Sequence, residues 1–154
     1  RTMADNERAA LLRLLDVNAN RSMEALRTAE EYIRFFIEDR ELTAQARRLR
    51  HSLGSAINDL LPDASHLAHR DADGDVGAGP TLDDPGARTS PADVCRAAFF
   101  RLKESVRALE EYGKTLSPEI ARRFEAARYA AYGLEKETVL KLTDGSSTRE
   151  RPAR

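Results

Sequence analysis

Arg21-Ser22-Met23-Glu24-Ala25-Leu26-Arg27-Thr28-Ala29-Glu30-Glu31-Tyr32 returns as Arg101-Leu102-Lys103-Glu104-Ser105-Val106-Arg107-Ala108-Leu109-Glu110-Glu111-Tyr112. The second copy begins eighty positions after the first (21 to 101), and Arg, Glu, Arg, Glu, Glu and Tyr match one for one. The matched residues are mostly polar, whereas apolar positions have drifted: Met23 stands against Lys103 and Ala29 against Leu109. A helix keeps its shape with almost any polar residue on its outer face. Keeping the same charges twice points to two halves that contribute to one site. The plain alternative is that Glu and Arg three or four residues apart merely pair on exposed helices, each pair adding about 0.2–0.5 kcal/mol.

Helical periodicity surrounds the first copy. Leu11, Leu12, Leu15, Ala19, Leu26, Ala29, Ile33, Phe36 and Ile37 gather on one face and predict a helix over 7–39. At about 100° per residue, Arg21, Glu24 and Glu31 fall on a different face, with Arg27 at its border. A second helix is expected over 43–61, capped by Thr43 and stopped by Pro62. Residues 62–90 are rich in Asp, Gly and Pro and read as a long central loop, its first part ordered at a site and 80–87 mobile. Ser90 as cap, Pro91 at the first helical position and Asp93 three residues after the cap open a third helix ending near Gly113. Ser117-Pro118-Glu119 opens a fourth, ending around Leu142, before a polar tail over 144–154 that reads as disordered. Arg50-His51 and Arg128-Tyr129 extend the repeat into the second and fourth helices. The expectation is an all-α four-helix bundle of one domain over 7–143, built from duplicated hairpins at about 7–61 and 91–143. The polar stripes would face each other between the hairpins.

The bulk properties narrow the partners. With 154 residues the chain can bury a core unaided, and a net charge of −1 gives no general pull toward nucleic acid or membrane. Only four of the 25 basic residues are Lys, leaving 21 Arg, a composition that GC-rich coding or bidentate phosphate binding would each produce. Cys95 is the single cysteine, which excludes an intrachain disulfide or zinc framework and fits a reducing cytoplasm.

Arg70-Asp71-Ala72-Asp73-Gly74-Asp75-Val76-Gly77 has the look of a calcium loop but fails its pattern, because Val76 follows the third acid and Leu82 stands where Glu is needed. Its acids still suit Mg²⁺ held by one or two carboxylates with phosphates completing the shell. His66 and His69 lack a third ligand for zinc. Tyr32, Tyr112, Tyr129 and Tyr132 read as core-edge residues rather than stacking platforms. No P-loop, dinucleotide or nucleophile-elbow motif is present. The residues alone therefore suggest an Arg/Glu-lined cleft with an acidic Gly loop, suited to an anionic, phosphorylated ligand.

Four strings together carry a resemblance. They are Leu15-Asp16-Val17-Asn18-Ala19-Asn20-Arg21 continuing through Glu24, Leu26-Arg27 and Glu30-Glu31-Tyr32; Leu49-Arg50-His51; Arg70-Asp71 with Asp75-Val76-Gly77; and Val106-Arg107-Ala108-Leu109-Glu110-Glu111-Tyr112-Gly113-Lys114. In order and spacing they resemble the helical hydroxymethylpyrimidine-phosphate kinases of thiamin biosynthesis, often an N-terminal domain fused to thiamine-phosphate synthase. The resemblance spans about 11–137. It implies transfer of a phosphoryl group from ATP to 4-amino-5-hydroxymethyl-2-methylpyrimidine phosphate, with the monophosphate and not the free alcohol as acceptor. Under it, Asp71 and Asp75 would hold Mg²⁺. Arg21, Arg27, Arg101 and Arg107 would orient phosphates, aided by Arg50, Arg70, Arg128 and Lys114. Glu24 or Glu104, with Glu31 or Glu111, would align those guanidinium groups or bond the aminopyrimidine. Asn18, His51 and Gly77 complete the expected binding set. Two positions depart from the family's usual pattern: Ala98 stands where Asn is usual, and Ala78 where Thr is usual. The same framework would also serve a non-catalytic module that binds thiamine-phosphate synthase or a thiamin precursor, or a homodimer using its stripes for self-association.

Overall fold

The computed structural model describes residues 3–79 and 86–145, and among them there are helices and no strands. Helix α1 spans Asp5–Tyr32, α2 Arg40–Leu60, α3 Pro91–Gly113 and α4 Pro118–Gly145. Two shorter pieces join them, a π-helical turn at Ile33–Ile37 and a 3-10 run at Pro62–His69. The 80–85 part of the expected mobile loop and all but the first two residues of the expected tail lie outside the described residues.

Helices α2, α3 and α4 begin where a side chain satisfies a free amide. Ser90 Oγ accepts from Asp93 N at 3.2 Å, and Pro91 follows it at the first helical position. Helix α2 starts earlier than its expected Thr43 cap. Asp39 takes that role, its Oδ1 accepting from Leu42 N at 2.9 Å, while Thr43 donates its hydroxyl back to the Asp39 carbonyl at 2.7 Å. An aspartate outside the helix reaches the orphan amide better than a threonine already inside it. The expected single helix over 7–39 is also corrected. Glu38 N bonds Ile33 O at 2.9 Å, a five-residue closure, and Glu38 then leaves with φ of 58°. The extra residue in that turn rotates the side chains beyond it away from the regular helical pattern. Phe36, placed by 3.6-residue periodicity on the core face, is instead 59% exposed, and Phe35 is 62% exposed. The central loop is likewise not all irregular, since Pro62–His69 forms 3-10 turns interrupted at Asp63 and Ala64, whose φ of 62° and 54° are left-handed.

Each helix packs antiparallel to two neighbours, in the ring order α1, α2, α4, α3. Met23 lies against Gly54 and Glu30 bonds Arg50 across α1 and α2, while Glu110 bonds Arg128 and Lys103 meets Glu135 across α3 and α4. Arg123 reaches Asp59 at 2.6 Å to join α4 to α2. Between α1 and α3 the contact is the most extensive in the molecule. Small buried residues there, Ser22, Ala25, Ala29, Ala98 and Ser105, let the two backbones approach. The buried hydroxyls are satisfied by carbonyls of their own helix, Ser22 to Ala19 at 3.0 Å and Ser105 to Leu102 at 3.2 Å. Leu15, Leu26, Leu53, Phe99, Leu102, Leu109 and Phe124 fill the interior with 0–1% exposure. Cys95 is buried among them, and burial pushes its thiol up to about 12, so it stays protonated at neutral pH. Among the described residues no helix is long and apolar enough to cross a membrane.

Candidate functional site

The two copies of the charged motif are used in two ways. Glu30 and Glu110, at matched positions, point inward and are 5% and 3% exposed. Glu30 accepts from Arg50 Nε at 2.8 Å and Arg47 Nε at 3.3 Å. Glu110 accepts from Arg128 Nε at 2.8 Å and Nη2 at 3.4 Å. Each hairpin is thus tied by the same carboxylate–guanidinium pair. Burial works against the Glu30 carboxylate, yet Arg50 and Arg47 hold it below the ordinary range. Glu110 raises the Arg128 guanidinium by the same hydrogen bonding. Arg50 and Arg128 therefore serve as the hairpin ties. His51, exposed, lies beside Arg50 in a shallow depression of about 500 Å³ with Met23, Asn58 and Asp59.

The outward stripe is built differently. Ala10, Leu14, Val17, Arg21, Glu24, Thr28, Glu31 and Phe35 follow the three- and four-residue spacing of one helical face. Midway along it, Arg101 of α3 crosses to Glu24, Nη2 to Oε1 at 3.1 Å and Nε to Oε2 at 3.4 Å. Thr28 donates its hydroxyl to the same Glu24 at 3.0 Å. Arg21 and Glu104 hold the repeat-related positions (21 to 101, 24 to 104). Arg27 lies 3.8 Å from Glu31, and Arg107 lies 3.0 Å from Glu111, which Lys114 also contacts at 2.8 Å. These are exposed pairs within one helix, worth little to stability. Lys114 holds the Glu111 carboxyl below its ordinary value.

At one end of the stripe the acidic loop folds over α1. Asp16, on the buried side of α1 and 3% exposed, receives a fork from Arg70: Nε to Oδ2 at 2.6 Å and Nη2 to Oδ1 at 2.7 Å. Asn20 donates to Asp16 Oδ1 at 3.1 Å, and His66 Nε2 stands 3.5 Å away. The Arg70 hydrogen bonds outweigh burial and hold the Asp16 carboxyl below its ordinary value. Beyond that anchor the loop turns on itself, Gly74 N donating to Asp71 Oδ1 and Gly77 N to Asp75 Oδ1, each at 2.8 Å. A Cβ at Gly74 would displace the Asp71 carboxylate from its place against the turn. Asn18, Arg21, Arg70, Asp71 and Asp75 line one groove of about 660 Å³ together with Asp16 and Arg13. Five of the expected site residues are thereby brought together.

Asp16 is the residue that sequence reading did not single out. Its signal was an acid on the apolar face between Leu12, Leu15 and Ala19, which requires a cationic partner from elsewhere in the chain. The partner gives a pH prediction. A carboxyl with a lowered native value binds protons less readily folded than unfolded. Its contribution is complete above the ordinary value of 3.8 and is lost as pH falls below that through the lowered value. Urea midpoints of Asp16→Asn, measured from neutral pH into acid, should fall less steeply than those of the wild type below about pH 4. Parallel curves would contradict the assigned pairing.

Asp71 and Asp75 are exposed, and each spends one oxygen on a backbone amide. Among the described residues no group of three or more His, Cys, Asp or Glu is arranged to hold a metal ion. Two carboxylates beside an Arg-lined groove fit a Mg²⁺ held mainly by water and phosphate, not an all-protein cage. Ala98 is fully buried within α3, and Ala78 is exposed.

Comparison with known proteins places the chain. Residues 13–137 match the ThiD2 family. The chain is 38% identical over 149 residues to a thiamine-phosphate synthase of Rhodopirellula baltica, covering 97% of this chain and 39% of that protein. It is 39% identical over 133 residues to a thiamine-phosphate synthase of Gloeobacter violaceus, covering 86% and 38% of the two chains. A Synechocystis protein of the same name is 39% identical over 126 residues, 82% of this chain and 35% of that one. The chain thus spans less than two-fifths of these relatives' length. No solved structure matches. The matched region takes in α2, α3 and most of α1 and α4, both copies of the charged motif and the acidic loop, and the chain belongs to the ThiD2 family.

Proposed function

We propose that this domain phosphorylates 4-amino-5-hydroxymethyl-2-methylpyrimidine phosphate to its diphosphate with Mg²⁺ and ATP, a step that prepares the pyrimidine for thiamine-phosphate synthase. The observation that carries the reading is the groove in which Asn18 and Arg21 of α1 face Arg70, Asp71 and Asp75 of the acidic loop. The chemistry asks for little else. A phosphate monoester has a second pKa near about 6, so the acceptor is already a nucleophile at neutral pH and needs no strong base. The difficulty is bringing two polyanions together. Guanidinium groups and positioning supply that. Arg21 and Arg101, from the two repeats, would orient phosphates. Glu24, Glu31 and Glu111 would align the arginines they contact, Arg101, Arg27 and Arg107. Asp71 and Asp75 would hold the metal ion, which supplies charge neutralisation of the phosphate oxygens. Asp16 keeps Arg70 and hence the loop in place.

The test is nucleotide turnover. ADP release should require both Mg²⁺ and the pyrimidine monophosphate; release of ADP without acceptor, or none from folded protein, would count against the reading. Asp71→Asn should shift half-saturation by Mg²⁺ upward by about tenfold, the scale of losing a carboxylate that holds the ion through its bound water. An unchanged metal profile would remove the loop from the metal's site.

A further inference from the structure

We propose that the cleft between the end of α1 and the start of α3 is the binding site for the adenine base of the nucleotide. The proposal rests on the kinase reading above only for the identity of that nucleotide. The cleft, about 630 Å³, is walled by Thr28, Glu31, Tyr32, Phe35 and Phe36 on one side and by residues 88–91 with Val94 on the other. Its aromatic wall is a product of the π-helical turn, a feature frequent at functional sites. Tyr32 and Phe36 stack at 4.8 Å between centroids and 7° between planes, and Arg34 covers one face of Phe35 at 4.7 Å. Phe35 and Phe36, packed on one side, remain 62% and 59% exposed. Phe35 continues the outward stripe, and the π-helical turn brings Phe36 out beside it where a regular helix would keep it inside.

The start of α3 is a poor cradle for phosphate. Pro91 has no N–H, Ser90 Oγ already occupies the Asp93 amide, and Asp93 places a carboxylate in the first turn. Glu31 adds another at the cleft. A neutral, flat, amine-bearing ring suits these surroundings, stacking on a phenyl face with its exocyclic amine toward a carboxylate. The phosphates would leave along the stripe. From Tyr32 back to Arg21 is eleven residues, roughly 16 Å at the helical rise, with Thr28 and the Glu24–Arg101 pair between. An extended nucleoside triphosphate can span that path. The pyrimidine monophosphate cannot, because one methylene separates its ring from its phosphate. A ring in this cleft would leave that phosphate within the cleft, whose charged wall residues are Glu31 and Arg88, and out of reach of Arg21 and Arg70. The acceptor is thereby assigned to the Asn18–Arg21–Arg70 end.

The chain contains no tryptophan, so Phe35→Trp creates a single reporter at an exposed position. Its fluorescence should be quenched saturably by Mg-ATP and by AMP, and left unchanged by inorganic tripolyphosphate or the pyrimidine monophosphate. In turnover assays Phe35→Ala should raise the KM for ATP about tenfold, the scale of one lost base-stacking contact. The KM for the pyrimidine monophosphate and kcat should stay within about twofold of the wild type. Quenching by the pyrimidine alone would overturn the assignment in favour of the acceptor. Unaltered fluorescence and an unaltered KM for ATP, in protein that turns over, would overturn the site while the kinase reading stands. Quenching by ATP and AMP without turnover would keep the nucleotide site and sink the kinase reading.

Discussion

Glu110→Ala is expected to destabilise the fold by about 3 kcal/mol, the lower end of the range for breaking a buried ion pair. The carboxylate is 4% exposed at its side chain and Arg128 12%, so removal leaves a guanidinium largely inside the protein without its two acceptor oxygens. Arg107, 3.5 Å from Glu110 and 53% exposed, loses little because water replaces the contact. The cost stays at the lower end because Arg128 retains some access to solvent. Glu30→Ala should cost a similar amount, since Arg50 and Arg47 converge on it in the same way. Urea unfolding followed by circular dichroism measures both. Glu111→Ala one position along, where the carboxylate is 44% exposed, should leave the urea midpoint close to that of the wild type. A large effect at Glu111 and a small one at Glu110 would reverse the assignment of inward and outward halves of the motif.

Arg21→Ala and Arg101→Ala should each lower kcat/KM for the pyrimidine monophosphate by about 10²–10³, within or below the range for an arginine that stabilises phosphoryl transfer. Both leave the fold intact. Arg101 and Glu24 form a pair 37% and 56% exposed, worth at most about 1 kcal/mol to stability. Arg21 is exposed at the edge of the groove. Steady-state kinetics on protein with unchanged thermal unfolding separates catalysis from stability. Arg48→Ala, an exposed arginine paired with Glu41, is the control and should be neutral. If one of the two variants is silent, the repeats do not both serve one site.

The bundle was largely legible because apolar spacing and caps are local. Leu11, Leu15, Leu26 and Ile33 set α1, Ser90 and Pro91 start α3, and its last helical residue is Gly113. The π-helical turn was not legible. One extra residue in a hydrogen-bonded ring has no compositional mark, and periodicity continued past it places Phe36 in the core. Thr43 reads as a cap, but Asp39 is equally suited and four residues earlier. In the site, the meeting of Arg21 and the loop acids in one groove depended on tertiary folding. Asp16 and Arg70 lie 54 residues apart, and nothing in either neighbourhood names the other. The repeat itself announced more than it sorted. Glu30 and Glu31, like Glu110 and Glu111, are adjacent carboxylates. Only the helix's 100° step sends the first of each pair inward to a buried arginine and the second outward to solvent.

Phosphoryl transfer to the monophosphate is read out by product capture. Purified protein with Mg-ATP is given either the pyrimidine monophosphate or the free alcohol, and thiamine-phosphate synthase with the thiazole phosphate reports the diphosphate. Thiamine phosphate formed from the monophosphate and not from the alcohol is the predicted result. No product from either, with protein shown to be folded and synthase shown to be active on authentic diphosphate, would contradict the account and leave the domain a non-catalytic partner in the pathway.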